Sequence, residues 1–158
     1  MGLFSRIFPK KELTIEPIDL SFLRNDIHSH LIPGIDDGSP DMETTIMLLK
    51  KFIDLGYKKV ITTPHVMSDY YKNTPEIILS GLDKVKTEII KNNLSIEIEA
   101  AAEYNLEPEF EDLLEKNNLL TFGPEKYLLF ELSFFDEPPR VNDIIWKIRE
   151  KGVPPVLA

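Results

Sequence analysis

The chain has 158 residues, enough for one ordinary domain and too few for two, and its 42% apolar and 28% charged composition supports a folded core. The 18 Lys+Arg against 27 Asp+Glu leave a net charge of −9, which argues against a duplex-DNA binder, because such affinity rests on neutralising phosphates. Cysteine is absent, which excludes a disulfide framework, Cys-ligated zinc, an iron–sulfur cluster and a thiol nucleophile.

Residues 1–24, punctuated by Pro9 and Pro17, read as an N-terminal leader. The start MGLFSRIFPKK lacks the long apolar run and small-residue cleavage site of a secretory signal, and Arg6 departs from the myristoylation pattern. A short cytoplasmic N-terminus is the reading, with weak membrane contact through Leu3, Phe4, Ile7 and Phe8 as its alternative. No apolar run approaches the ~20 residues of a membrane span. Residues 25–158 then alternate strand-like and helical patterns. A first strand is predicted around 25–30, and a helix with Ser39 as N-cap and Pro40 at its first position. Its stripe is Met42, Ile46, Leu49 and Ile53, and Gly56 stops it. A second strand is predicted over 59–63, and Thr74-Pro75-Glu76 opens a helix striped by Ile78, Leu82, Val85 and Ile89. Further strands are predicted at 95–102, 127–132 and 153–158, with helices over 108–116 and from Val141 to Gly152. Such alternation implies βαβ units and a parallel sheet.

Chemistry concentrates at strand ends. The sequence has 3 histidines: His28 and His30 in H-S-H, and His65 in T-T-P-H. Residues i and i+2 of a strand share a face, so His28 and His30 can reach one metal ion together. Glu103 follows three alanines too small to hide it. Glu131 interrupts the apolar run Y-L-L-F-E-L, where an unpaired carboxylate would be costly and no basic residue is adjacent. One metal-capable residue or pair per successive strand matches sites built at the C-terminal ends of parallel strands. Nitrogen and carboxylate donors without sulfur suit manganese, iron or zinc, and more than one ion is compatible with the set. Asp26 is placed to orient an imidazole. Asp36 and Asp37 offer the same support or simply shape the turn before the helix. Arg140, in the loop after the Glu131 strand, is a candidate phosphate contact, since a cation at a helix N-terminus is otherwise unfavourable.

The segment D-I-H-S-H-L-I-P-G-I-D-D-G, from Asp26 to Gly38, resembles the opening motif of the polymerase-and-histidinol-phosphatase (PHP) metallohydrolases. T-T-P-H, A-A-E-Y and F-E-L extend the likeness, which is nearest to the manganese-dependent tyrosine-protein phosphatases of bacterial capsular and exopolysaccharide synthesis. The resemblance implies a parallel (β/α) barrel, with His28, His30, His65, Glu103 and Glu131 as ligands of two or three ions, Mn²⁺ first and Fe or Zn as alternatives. It implies a cytoplasmic enzyme acting on phosphotyrosine in a protein partner, such as a bacterial tyrosine kinase of polysaccharide synthesis, and not on nucleic acid. A related phosphoesterase, such as one acting on histidinol phosphate, is the other enzyme reading. Relatives continue with a His-Pro-Glu-Arg segment and an Asp-x-His pair beyond the position of Ala158. The expectation is therefore the N-terminal part of a barrel, about five strands, with little turnover on its own; an inactive fragment is the third reading.

Overall fold

The computed structural model describes residues 19, 21–133 and 140–158; the leader's Pro9 and Pro17, and Leu3, Phe4, Ile7 and Phe8, lie outside these. A 3-10 turn at Ser21–Leu23 leads into β1 (Asn25–Ser29), followed by α1 (Met42–Asp54), β2 (Lys59–Thr62), β3 (His65–Val66) and α2 (Pro75–Lys91). Then come β4 (Glu97–Ala100), β5 (Glu103–Asn105), α3 (Pro108–Glu115), β6 (Leu128–Glu131), α4 (Val141–Glu150) and β7 (Pro155–Leu157).

All named strand pairs are parallel, in the orders β1-β2-β4 and β3-β5-β6-β7. Two of the five predicted strands end early, at Thr62 and Ala100, and after the breaks Thr63-Pro64 and Ala101-Ala102 short strands follow beyond the predicted bounds. Proline has no N–H to give the ladder, which accounts for the first interruption. Backbone bonds nevertheless bridge both breaks: Thr63 N–H donates to Ser29 (2.7 Å), Ala101 N–H to Thr62 (2.9 Å) and Glu103 N–H to Pro64 (3.0 Å). The strand lines thus run in chain order across one continuous surface. Among the described residues β1 pairs only with β2 and β7 only with β6, so the sheets stay open: the parallel α/β architecture expected is present, without a closed barrel. Five strand lines fall short of the roughly eight that close such a barrel.

Helix placement follows the apolar stripes. Ile78, Leu82, Val85 and Ile89 of α2 are all buried, as are Ile46 and Leu49 of α1 and Val141, Ile144 and Ile148 of α4. They pack with Val60, Ile98, Tyr104, Leu128 and Phe130 in the main core. Each such large apolar side chain contributes about 1.5–3 kcal/mol on burial. The intervening strand residues Ile61, Ala101 and Leu129 form a smaller cluster with Phe122, as the alternation of strand side chains requires. Glu103 and Leu129 are register partners, which puts the carboxylate on that second face.

One cap differs from expectation. Asp41, not Ser39, caps α1, its side chain accepting from Thr44 N–H at 2.7 Å. Ser39 is buried instead, with its hydroxyl donating to the Asp41 carbonyl (2.9 Å) and lying 2.7 Å from Thr45 Oγ1. Thr74 caps α2 as predicted.

Candidate metal centre

The C-terminal ends of the strands converge on one carboxylate. β1 carries His28, and His30 follows its last residue. Between Asp26 and Ser29, β1 uses one residue more than β2, a bulge that re-aims this end of the strand. Thr62 secures it: its hydroxyl donates to the Ser29 carbonyl (2.9 Å) and accepts from Leu31 N–H (2.8 Å). His65 opens β3 and Glu103 opens β5 as its register partner. Glu103 Oε2 lies 3.2 Å from His28 Nε2, 3.1 Å from His30 Nε2 and 3.3 Å from His65 Nδ1. Glu131, the last residue of β6, places Oε1 3.1 Å from His65 Nδ1. The small alanines do not leave Glu103 open: the three imidazoles cover it and its side chain is 3% exposed.

Three overlapping groups result among the described residues: His28, His30 and Glu103; His30, Asp37 and His65; His65, Glu103 and Glu131. Within each, one candidate donor atom per residue lies within 4.8 Å of the others. All five ligand positions expected from the sequence are therefore together, and Asp37, expected as outer support, joins them.

Does this arrangement fit a metal? His65 Nδ1 is buried and makes no hydrogen bond, although two carboxylate oxygens lie 3.1 and 3.3 Å away. Proximity without hydrogen-bond geometry suits donors aimed at a common ion rather than at each other. The nitrogen and carboxylate set also suits a borderline divalent cation. The residues fit.

Electrostatics agree. Burial alone would lower the His30 imidazole, but hydrogen bonds to Asp36 and Glu103, and their charges, push it up to about 9. Burial disfavours ionised Glu103, yet the His30 hydrogen bond and the nearby His28 and His65 hold its carboxyl below the ordinary value. Burial raises Glu131, against the attraction of His65 and with the repulsion of Glu103. Two carboxylates crowded in this way favour a cation beside them.

The loop after β1 is part of the apparatus. Asp36 Oδ2 accepts from His30 Nδ1–H (2.8 Å) and from His65 N–H (3.1 Å), while Oδ1 accepts from Gly38 N–H (3.0 Å). One side chain thus shapes the turn and fixes an imidazole, so the two readings of Asp36 are both realised. Holding Nδ1–H leaves His30 Nε2 facing the centre, the usual way a ligand histidine is oriented. Gly38 makes the fold-back achievable: a Cβ there would sit 2.3 Å from His30 Cβ and 2.5 Å from its carbonyl oxygen. Asp26 has a different setting. Burial raises its carboxyl despite hydrogen bonds to Ser29 and the His28 backbone, and its Oδ2 is buried without a partner.

Two residues were invisible to motif reading. Tyr71 stacks on His65, with centroids 5.4 Å apart and planes 13° from parallel. Asn73 Nδ2 donates to the carbonyls of His65 (2.8 Å) and Ile35 (3.1 Å), tying both loops together. Neither lies in a periodic element, so only the three-dimensional approach of the loops exposes them. Arg140 stands apart: it precedes α4 in a left-handed conformation (φ 68°), and its Nε donates to Asp143 at 2.8 Å on its own first turn.

Fold and cluster define a parallel α/β protein that gathers metal-capable side chains at its strand ends. Comparison narrows this. The chain belongs to the family described as capsular polysaccharide synthesis, CpsB/CapC, whose sequence model matches residues 24–158. It is 30% identical over 133 residues to the tyrosine-protein phosphatase YwqE of Bacillus subtilis, covering 84% of this chain and 52% of that one. It is 28% identical to the tyrosine-protein phosphatase CpsB of Streptococcus pneumoniae, covering 84% and 55%. A solved structure matches with a TM-score of 0.76 at 30% identity, covering 84% of this chain and 54% of that one. It is described as that of YwqE and CpsB, "unique metal-dependent tyrosine phosphatases". The chain spans about half the length of the curated relatives it matches.

Proposed function

We propose that this chain carries the Mn²⁺-binding centre of a protein-tyrosine phosphatase of polysaccharide synthesis, with Fe or Zn as alternative ions. The observation that supports it most is the sharing of Glu103 Oε2 by three imidazoles from two strand lines. His28, His30, His65, Glu103 and Glu131 would hold the ions, with Asp37 as a further donor. Divalent ions, when bound, supply the Lewis acidity that activates water and neutralises phosphoryl oxygens. The protein's part is positioning. Asp36 keeps the His30 proton on Nδ1, Asn73 fixes the His65 backbone, and Glu103 is held buried beneath the imidazoles. Asp26 supports the strand that bears His28. Arg140 is the proposed phosphoryl contact, from its place after β6; its pair with Asp143 would have to open.

The substrate proposed is phosphotyrosine in a cytoplasmic protein, a tyrosine kinase of the same biosynthetic system being the natural partner. Residues 25–158 would be the phosphatase portion and 1–24 a leader. No helix among the described residues is long and apolar enough to cross a membrane. The test is a substrate panel with Mn²⁺. Phosphotyrosine peptide should be hydrolysed, slowly by this chain on its own, in preference to histidinol phosphate and single-stranded DNA, with activity abolished by EDTA and untouched by thiol alkylation. Hydrolysis that survives exhaustive chelation, or a preference for histidinol phosphate, would overturn the reading.

A further inference from the structure

Beside the metal centre lies a cleft of about 380 Å³. Its lining includes His65 and Glu131, members of the donor cluster. Tyr70, Tyr71, Met67 and Leu132 line it as well. The volume falls in the ~300–1,000 Å³ range of small-ligand clefts. Among the described residues its lining includes Asp37, Asp69 and Glu107 but no Lys or Arg, so the walls themselves offer no cation to a phosphate. A phosphate ester entering here finds metal-capable donors for its charge at His65 and Glu131 and an exposed aromatic ring for its organic part at Tyr70.

The aromatic wall is built in advance. Tyr71 is committed to His65 by stacking, and its carbonyl accepts from Met67 N–H (2.9 Å) and Asn73 N–H (2.7 Å). Glu107, at the start of α3, does not cap its own helix. Its carboxylate instead accepts from Ser68 N–H (2.5 Å) and Ser68 Oγ (3.0 Å), pinning the loop at the other side of the tyrosines. Tyr70 lies between these fixings and is 79% exposed, a large aromatic ring held at the rim of a cleft. Exposure of such a ring on a fastened loop leaves its face free for a ligand.

We propose that Tyr70 is a specificity-determining residue, stacking on the aromatic ring of an aryl phosphate whose phosphoryl group lies beside His65 and Glu131. The proposal rests on the phosphatase reading and adds the element that separates aryl from alkyl esters. A favourable ring pair is worth about a two- to tenfold gain in affinity.

The test uses the full chain loaded with Mn²⁺ and two non-hydrolysable probes, phenylphosphonate and propylphosphonate, with affinities measured by calorimetry. Wild type should bind the phenyl probe about two- to tenfold more tightly. Tyr70→Ala should erase that advantage, Tyr70→Phe should retain it, and propylphosphonate should bind all three alike. Because Tyr70 is exposed, neither substitution threatens the fold. Equal binding of both probes by wild type, an advantage that survives Tyr70→Ala, or failure of Tyr70→Phe to retain it would each overturn this proposal and leave the metal centre standing. If neither probe binds the Mn²⁺-loaded chain, both this proposal and the phosphatase reading fall.

Discussion

His30 and Arg140 each sit beyond a strand, and the fold treats them in opposite ways. His30 is 15% exposed and is held by Asp36 from the following loop and by Glu103 from a different strand line. Arg140 is 67% exposed, and its ion pair is with a residue three positions along its own helix. The first placement depends on the tertiary fold, because elements distant in sequence must meet to produce it. The second needs only one helical turn. A residue fixed by several elements is pre-organised for chemistry, whereas one held by a local, solvent-screened pair can be redirected at little cost.

Glu103→Gln breaks the tertiary placement most severely. It removes the charge that three imidazoles share, and Mn²⁺ affinity should fall by at least about 100-fold, more than loss of a supporting residue produces. Titration followed by Mn²⁺ electron paramagnetic resonance would read this. Next in size is Asp36→Asn, which leaves the ligands in place but weakens the hold on His30. A loss of about 10–100-fold in Mn²⁺ affinity is expected.

The pH dependence sharpens the same contrast. The His30 imidazole is raised from 6.5 to about 9 in the metal-free fold, so its proton stabilises the folded state. That contribution is complete below pH 6.5 and is lost as pH rises toward about 9. A metal ion must displace this proton, so affinity should climb across the same interval and level off above it. Melting curves of metal-free protein and Mn²⁺ titrations between pH 6 and 9.5 would trace the two opposed trends. The smallest effect on the centre is expected from Arg140→Ala. Mn²⁺ affinity should be unchanged, while KM for a phosphotyrosine peptide should rise if Arg140 contacts the phosphoryl group. A fall in Mn²⁺ affinity would place Arg140 in the centre and erase the contrast.

What the sequence made legible follows from the same distinction. The five ligand positions could be read because each lies at or just past the end of a strand pattern in the sequence, and parallel strands in chain order bring those regions together. His65 and Glu103 in fact open the short strands β3 and β5. The stripes of α2 and α4 could be read because burial of one face obeys a fixed period. Asp36 could be noticed but not assigned, since its bond to His30 depends on the chain folding back at Gly38. Asp41 took the cap from Ser39 because the buried Ser39–Thr45 contact, with Thr45 Oγ1 also donating to the Leu31 carbonyl, drew that hydroxyl inward. Tyr71 and Asn73 act through loops that carry no periodicity at all. The open sheet followed from the number of strand lines rather than from periodicity, since about five fall short of the roughly eight that close a barrel.

The account turns on whether the strand-end donors bind metal as one centre. Equilibrium Mn²⁺ titration of the wild-type chain against His28→Ala and His30→Ala, with circular dichroism confirming that the variants are folded, tests this most directly. The account predicts a strong loss of affinity in both variants. Folded variants that both bind Mn²⁺ as tightly as wild type would contradict it.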